Sequence, residues 1–108
     1  MTFVQGFLTC KDEVEAQAII DRLIAEKMIA CGKIIHPVLS TFVMKSAVSH
    51  SQEVLILMET HESRCNRIEV IIGEMHSYDT FVFTAVPMVH VSTKARLWLN
   101  EALHLLGT

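Results

Sequence analysis

The sequence predicts an α+β fold, because two strand–helix–strand passages fill nearly all of its 108 residues. The first passage runs from residues 2–9 through a helix to residues 33–45. The second runs from residues 53–60 through a helix to residues 80–91. This order is typical of a split β-α-β, ferredoxin-like sandwich with an antiparallel sheet, here with an additional C-terminal helix. Since no linker or low-complexity tract interrupts the chain, residues 1–108 are expected to form a single domain.

The first helix has a recognisable start and a regular apolar face. Asp12 and Glu15 have the spacing of a capping box. Apolar residues then recur with helical period, at Ala16, Ile19, Ile20, Leu23 and Ile24. Gly32 is expected to end the helix, because glycine readily adopts the left-handed φ of a helix C-terminus.

The remaining elements follow from similar signals. Polar residues 46–52 are expected to join the second and third strands, with Pro37 at a bulge or an edge. Thr60 is the expected cap of the second helix, whose apolar face comprises Cys65, Ile68, Ile71, Ile72 and Met75. Pro87 is expected at an edge or bulge of the last strand. Ser92 is expected to cap the last helix, whose apolar stripe comprises Ala95, Trp98, Leu99, Ala102 and Leu106.

The composition predicts an oligomer and excludes several partners. Hydrophobic residues make up 51% of the chain and its mean hydropathy is +0.39, more than one small core can bury. The net charge of −3, with 9 scattered Lys and Arg, provides no basic surface for nucleic acid or anionic lipid. The longest apolar runs, residues 54–58 and 70–72, are too short to span a bilayer. Three widely spaced cysteines and no visible export signal indicate the cytoplasm.

Three segments resemble the CutA family of divalent-cation tolerance proteins. Residues 25–31, Ala-Glu-Lys-Met-Ile-Ala-Cys, resemble the family's AE(K/R)LAAC segment. The turn His76-x-Tyr78-Asp79, followed by Ala85-x-Pro87, resembles its HPYE and A-L-P segments, and residues 98–103 resemble its W-L-N-x-S-L ending. The resemblance covers residues 3–103. It implies a ferredoxin-like homotrimer that is related in architecture to the PII signalling proteins.

The resemblance also implies a ligand cleft between subunits, with Phe42, Met44 and Tyr78 in its walls. This chain has Phe42-Val43-Met44-Lys45-Ser46 where the family has Tyr-x-Trp-x-Gly. Ser77 replaces the family's Pro, and Phe81-Val82 replaces its Pro-Glu pair. The lost carboxylate and aromatic wall predict poor binding of hard ions such as Mg²⁺ and Ca²⁺.

The residues that remain in this region could bind a soft cation. His76 and Asp79 lie on one turn and could share Cu²⁺ or another soft divalent ion, with the Cys31 thiolate as a third ligand. His76 is expected at the surface, so that His76→Ala removes binding and leaves the fold intact. The alternative is structural: His76 caps the second helix while Tyr78 packs its ring. Cys10, in a polar turn before a helix, is the cysteine most expected to be a reactive thiolate and is a further candidate ligand.

No catalytic motif is present, so a non-enzymatic protein is expected. The sequence predicts a CutA-like homotrimer in divalent-cation tolerance, assembled through strand edges and the hairpin at residues 42–52. The alternative is a PII-like regulatory module that binds a small ligand or a protein partner at its intersubunit clefts. A third possibility is a trimeric scaffold with neither activity.

Overall fold

The computed structural model describes residues 2–105, which form one four-stranded antiparallel sheet and three α-helices. The elements are β1 (Phe3–Cys10), α1 (Glu13–Ala25), β2 (Cys31–Met44), β3 (Ala47–His61), α2 (Cys65–Met75), β4 (Phe83–Pro87) and α3 (Thr93–Ala102). The strand order is β2-β3-β1-β4. The predicted α+β, ferredoxin-like class with an additional C-terminal helix is confirmed.

The main core lies between one face of the sheet and the helices α1 and α2. Leu8 of β1 and Ile56 of β3 are fully buried and face each other across the ladder. The helices supply the other side of this core through Ala16, Ile19, Ile20, Leu23, Ile68, Ile71 and Ile72. A smaller cluster of Phe3, Leu99 and Leu103 attaches α3 to the start of β1. Ile24 and Trp98, both predicted in apolar stripes, are exposed, and Leu106 lies outside the described residues.

The helix α1 begins as predicted but ends earlier. The Asp12 carboxylate accepts the N–H of Glu15 at 2.9 Å, as an N-cap does. The helix ends at Ala25, and Lys27, rather than Gly32, has the left-handed φ, at 61°. Gly32 lies in β2, where a Cβ atom would be 2.8 Å from the side chain of Ile20. Its small size therefore serves close packing of helix on sheet, and the predicted C-terminal role was wrong.

The hairpin of β2 and β3 is longer than predicted. Its turn consists of Lys45 and Ser46, which both have left-handed φ values, 51° and 65°, as a tight two-residue hairpin turn requires. Most of the predicted loop 46–52 is therefore strand, because cross-strand pairing extends to Met44 and Ala47. Pro37 lies in a register shift of the edge strand β2, which confirms its predicted position.

Half of this hairpin projects beyond the rest of the sheet. β1 pairs with β3 only from Val54 onwards, so residues 38–53 form a two-stranded ribbon. Leu39, Val43 and Val48 on this ribbon are 79%, 74% and 67% exposed. A two-stranded ribbon is marginally stable in water, and this one presents an apolar surface.

Two further predictions about element ends were wrong. Thr60 does not cap α2: it lies in β3, fully buried, and its hydroxyl donates to the Met28 carbonyl at 2.5 Å. α2 begins at Cys65 after a 3-10 turn, and the His61 imidazole accepts the N–H of Ser63 there. The last strand ends at Pro87, because only Val4–Leu8 of β1 pair with it. Pro87 does lie on an edge strand, and Ser92 precedes α3 without a side-chain capping bond.

Candidate metal centre

His76 occupies the C-terminal end of α2 and is held by two hydrogen bonds. Its side chain is fully buried. Its Nδ1 accepts the N–H of Tyr78 at 3.0 Å, and its Nε2 lies 2.9 Å from the Thr9 carbonyl oxygen. Because a carbonyl only accepts, Nε2 carries the hydrogen and the ring is assigned as the neutral tautomer. The expectation of a surface histidine was therefore wrong, since the turn folds back over the end of β1.

Glu15 joins the start of α1 to the same turn. Its carboxylate accepts the N–H of Lys11 at 3.2 Å and the N–H of Ser77 at 2.9 Å, and it lies 3.9 Å from His76 Nδ1. Burial opposes ionisation of this group, but the hydrogen bonds from Ser77 and Lys11 outweigh it and lower the pKa of Glu15. Glu15 is therefore a carboxylate whose side chain is only 8% exposed.

Cys10 completes a three-residue group at the end of β1. Its Sγ, a carboxylate oxygen of Glu15 and a ring nitrogen of His76 all lie within 4.8 Å of one another. Burial, followed by the negative charges of Glu15, Glu53 and Asp12, raises the pKa of the Cys10 thiol to about 12. Cys10 is therefore a protonated, buried thiol, and the predicted reactive thiolate at the helix N-terminus was wrong.

A second carboxylate lies beside this group. Glu53 of β3 is only 7% exposed, and it precedes Val54, the strand partner of Cys10. The Tyr78 hydroxyl donates to Glu53 Oε2 at 2.7 Å. Burial, the hydrogen bond to Glu53 and nearby negative charge raise the pKa of Tyr78 above its usual range. The phenol is therefore a permanent hydrogen-bond donor to this carboxylate.

The electrostatics of the group favour a cation. Within residues 2–105, no Lys or Arg side chain forms an ion pair with either Glu15 or Glu53. The N–H groups of Lys11 and Ser77 donate to Glu15, and the Tyr78 hydroxyl donates to Glu53. A metal ion would add the counter-charge that no Lys or Arg supplies. Thiolate sulfur, imidazole nitrogen and carboxylate oxygen together suit Zn²⁺ and other borderline ions.

The structure does not bring Cys31 or Asp79 into this group within one chain. Cys31 pairs with Glu59 on β3, five residues along from Val54, or about 16 Å at the rise of a strand. Its Sγ lies 3.5 Å from Lys33 Nζ. Asp79 is exposed and lies outside the group.

The predicted cleft residues are also separated within one chain. Tyr78 packs against the His76 ring, with 4.8 Å between ring centroids. Phe42 and Met44 lie near the tip of the projecting hairpin, opposite Ser49 and Ala47. These two residues are remote from Tyr78, whose hydroxyl reaches only the base of the ribbon at Glu53.

Sequence reasoning missed both carboxylates, Glu15 within the three-residue group and Glu53 beside it. Glu15 was assigned to the capping box, but its carboxylate accepts the N–H of Lys11, one residue before the cap Asp12, and the N–H of Ser77. The usable signal was position, because Glu15 stands one helical turn after Asp12 and close behind Cys10. Glu53 gave no signal, since a carboxylate at the start of a predicted strand is normally solvated.

The buried thiol has a consequence that can be measured. At pH 8, we expect iodoacetamide to modify the half-buried Cys31 well before Cys10, because the thiolate fraction of Cys10 is roughly a thousandfold lower than that of a free thiol. Peptide mass mapping gives the order, and all three cysteines should react in urea. Equal rates for Cys10 in native and unfolded protein would contradict its burial.

The raised pKa of Cys10 also predicts how stability changes with pH. The native state keeps the thiol proton of Cys10 at pH values above 9.0, the pKa at which the unfolded thiol loses it. The free energy of unfolding should therefore fall as the pH rises above that value.

Comparison with known proteins gives the family. Residues 4–102 match the family described as CutA1 divalent ion tolerance protein. The chain belongs to this family. The CutA divalent-cation tolerance protein of Escherichia coli O45:K1 is 28% identical over 102 residues, which cover 94% of this chain and 91% of the relative. The aligned region therefore spans nearly the whole of both proteins.

Solved CutA structures have the same fold. The periplasmic divalent cation tolerance protein CutA of Archaeoglobus fulgidus superposes with a TM-score of 0.91 at 24% identity, covering 94% of this chain and 99% of that one. CutA1 of the psychrotrophic bacterium Shewanella sp. SIB1 gives a TM-score of 0.88 at 25% identity, covering 93% and 94%. Among the described residues of this CutA-family chain, no helix is both long and apolar enough to cross a membrane.

Proposed function

We propose that this chain acts in divalent-cation tolerance as a non-enzymatic homotrimer, binding one soft or borderline ion per subunit through Cys10, Glu15 and His76. The observation that carries the proposal is the convergence of these three donors within 4.8 Å. Family membership supports the cation response, because the family is described by divalent ion tolerance. The donor set favours Zn²⁺ or Cu²⁺ over Mg²⁺ and Ca²⁺, which prefer oxygen ligands.

Binding at this site requires small rearrangements. Donors around a tetrahedral ion are about 3.3–3.8 Å apart, given bonds of about 2.0–2.3 Å, so the side chains must approach each other by about an ångström. Cys10 must release its proton to the solvent, and His76 must exchange its hydrogen bond with the Tyr78 N–H for the ion. These costs predict weak binding that falls further in acid, when protons compete for the same donors.

The trimer would bring together residues that one chain keeps apart. The exposed ribbon at residues 38–53 supports assembly, because its apolar residues need cover. A neighbouring subunit is then the proposed source of Phe42 and Met44 for a cleft beside Tyr78. Cys31 and Asp79 are proposed to contribute only across that boundary.

The cytoplasm is the proposed compartment. All three cysteines are free thiols, as is usual where thiols are kept reduced. The Archaeoglobus fulgidus relative is described as periplasmic, so location is a property to be measured for each member. Fractionation that finds this chain outside the cytoplasm would contradict the proposal.

One observation favours the alternative, a PII-like module that binds a small ligand or a protein partner. The projecting ribbon carries a shallow cavity of about 400 Å³, lined by Leu39, Ser40, Thr41, His50, Ser51 and Gln52. A polar rim of this kind suits a small polar ligand. Ion binding without nucleotide binding would favour the cation function, and the converse would favour the regulatory module.

Calorimetry with Zn²⁺, Cu²⁺, Mg²⁺, Ca²⁺ and ATP tests the proposed function. We expect one Zn²⁺ or Cu²⁺ per chain and no comparable binding of the other three. Cys10→Ser should weaken binding by at least about tenfold, because it removes the sulfur ligand. Cys65→Ser is the matched control, since Cys65 lies at the start of α2 outside the group. Tighter binding of Mg²⁺ or Ca²⁺, or equal binding by Cys10→Ser, would overturn the proposed site.

A further inference from the structure

We infer that Glu53 is a fourth ligand for the cation and that the Tyr78 hydroxyl holds its carboxylate in the ion-free protein. This inference rests on the proposed cation function and deepens it. Structural Zn²⁺ sites in proteins are almost always four-coordinate, whereas Cys10, Glu15 and His76 supply only three donors. The fourth position therefore calls for a donor that lies nearby and is already desolvated.

Glu53 meets this requirement by position and burial. Its Oε2 accepts the hydroxyl of Tyr78, whose ring packs on His76, and its negative charge is one of those that raise the pKa of the Cys10 thiol. It is also one of two buried polar residues in the described chain. Its carboxylate is not among the atoms that lie within 4.8 Å of one another. Among residues 2–105, its one side-chain hydrogen bond is the contact of 2.7 Å with the Tyr78 hydroxyl. The Glu53 carboxylate therefore lies close to the group but is hydrogen-bonded to the Tyr78 phenol.

Tyr78 connects this carboxylate to the imidazole ligand. Its backbone N–H donates to His76 Nδ1, while its hydroxyl donates to Glu53. The same residue therefore satisfies acceptors on two ligands of the proposed site. A cation that takes up both acceptors would release both bonds of Tyr78. Ion entry and movement of the turn that follows α2 are then one event.

Charge explains why the exchange is favourable for the buried Glu53 and would not be for an exposed acid. If Tyr78 left without an ion, a buried carboxylate would lose its hydrogen-bond donor, which is costly. With an ion present, the Glu53 carboxylate, which is only 7% exposed, gains a full counter-charge. The same ion also compensates Glu15, so that two negative charges meet one divalent ion.

Zn²⁺ calorimetry on paired variants tests this inference. Glu53→Gln should weaken Zn²⁺ binding by about ten- to a hundredfold, because it removes an anionic ligand of the same shape. Tyr78→Phe should strengthen binding by about tenfold, because the competing hydrogen bond to a charged group is gone. The double variant should bind like Glu53→Gln alone, since Tyr78 acts through Glu53. Glu59→Gln is the control, on the same strand but paired with Lys33.

The outcomes separate this inference from the proposed function. If the unchanged protein binds no Zn²⁺, both fail. If Cys10→Ser abolishes binding while Glu53→Gln and Tyr78→Phe bind as the unchanged protein does, only the inference fails. Weaker Zn²⁺ binding by Tyr78→Phe would indicate that the phenol itself is a ligand, and this result would also contradict the inference. Circular dichroism checks folding, and if Glu53→Gln does not fold, the sign of the Tyr78→Phe effect decides.

Discussion

We expect His76→Ala to lower the free energy of unfolding by about 2–5 kcal/mol and to abolish cation binding. The substitution leaves the Thr9 carbonyl and the Tyr78 N–H without their side-chain partner. Each buried group that loses its partner costs about 1–3 kcal/mol. The missing ring also leaves a cavity against Phe81, which stacks on the imidazole at 5.5 Å. Stability and binding should therefore fall together.

Urea unfolding at one fixed protein concentration measures this loss, because the stability of an oligomer depends on concentration. His90→Ala is the matched control. His90 is exposed and lies between β4 and α3, outside the ribbon, so its removal should change stability by no more than about 0.5 kcal/mol. An unchanged unfolding midpoint for His76→Ala would restore the view of a surface histidine.

We expect light scattering to give three times the 12.2 kDa chain mass, and Val43→Glu to shift the protein towards the monomer. Val43 is 74% exposed and pairs with Val48 on the ribbon that projects beyond the four-stranded sheet. If a neighbouring subunit covers this surface, the new carboxylate is buried without a partner, which costs several kcal/mol. Three symmetry-related substitutions then act on one assembly.

The control for this substitution is Val70→Glu, which places the same charge at a 52% exposed valine on α2. It should leave the mass unchanged, because α2 lies on the helical side of the sheet and away from the ribbon. A monomer mass for the unchanged protein at micromolar concentration would refute the trimer. Dissociation by Val70→Glu with no effect of Val43→Glu would refute the ribbon as the interface.

Local patterns predicted the elements well where neighbours along the chain set the structure. The capping residue Asp12 and the apolar period of α1 identified that helix, and Pro37 marked the irregularity in β2. The errors have a different origin. Thr60 is a residue type that commonly caps helices, but its hydroxyl donates a hydrogen bond to the carbonyl of Met28, 32 residues earlier. Gly32 is a residue type that commonly ends helices, but here its lack of a side chain leaves room for Ile20.

The site shows the same division. Sequence reasoning identified His76 and Cys10 as separate candidates. It expected a surface histidine and a reactive thiolate where the structure has a buried ring and a buried thiol, while the alternative of His76 as the cap of the second helix agrees with its place at the end of α2. It could not pair them, because they are 66 positions apart and meet only where the end of β1 reaches the end of α2. Glu15 joins them from α1, and Glu53 lies beside the group on β3. A thiol that is expected to ionise in a polar turn stays protonated once that turn is covered.

The sequence by itself determined the family, the fold class and the order of the elements, because periodicity and capping act between residues close along the chain. The tertiary structure alone decided which donors converge, which carboxylates are buried and which protons stay bound. These properties depend on desolvation and on distances between elements, and neither is encoded at any single position. The proposed cation site of this chain is therefore a product of its packing.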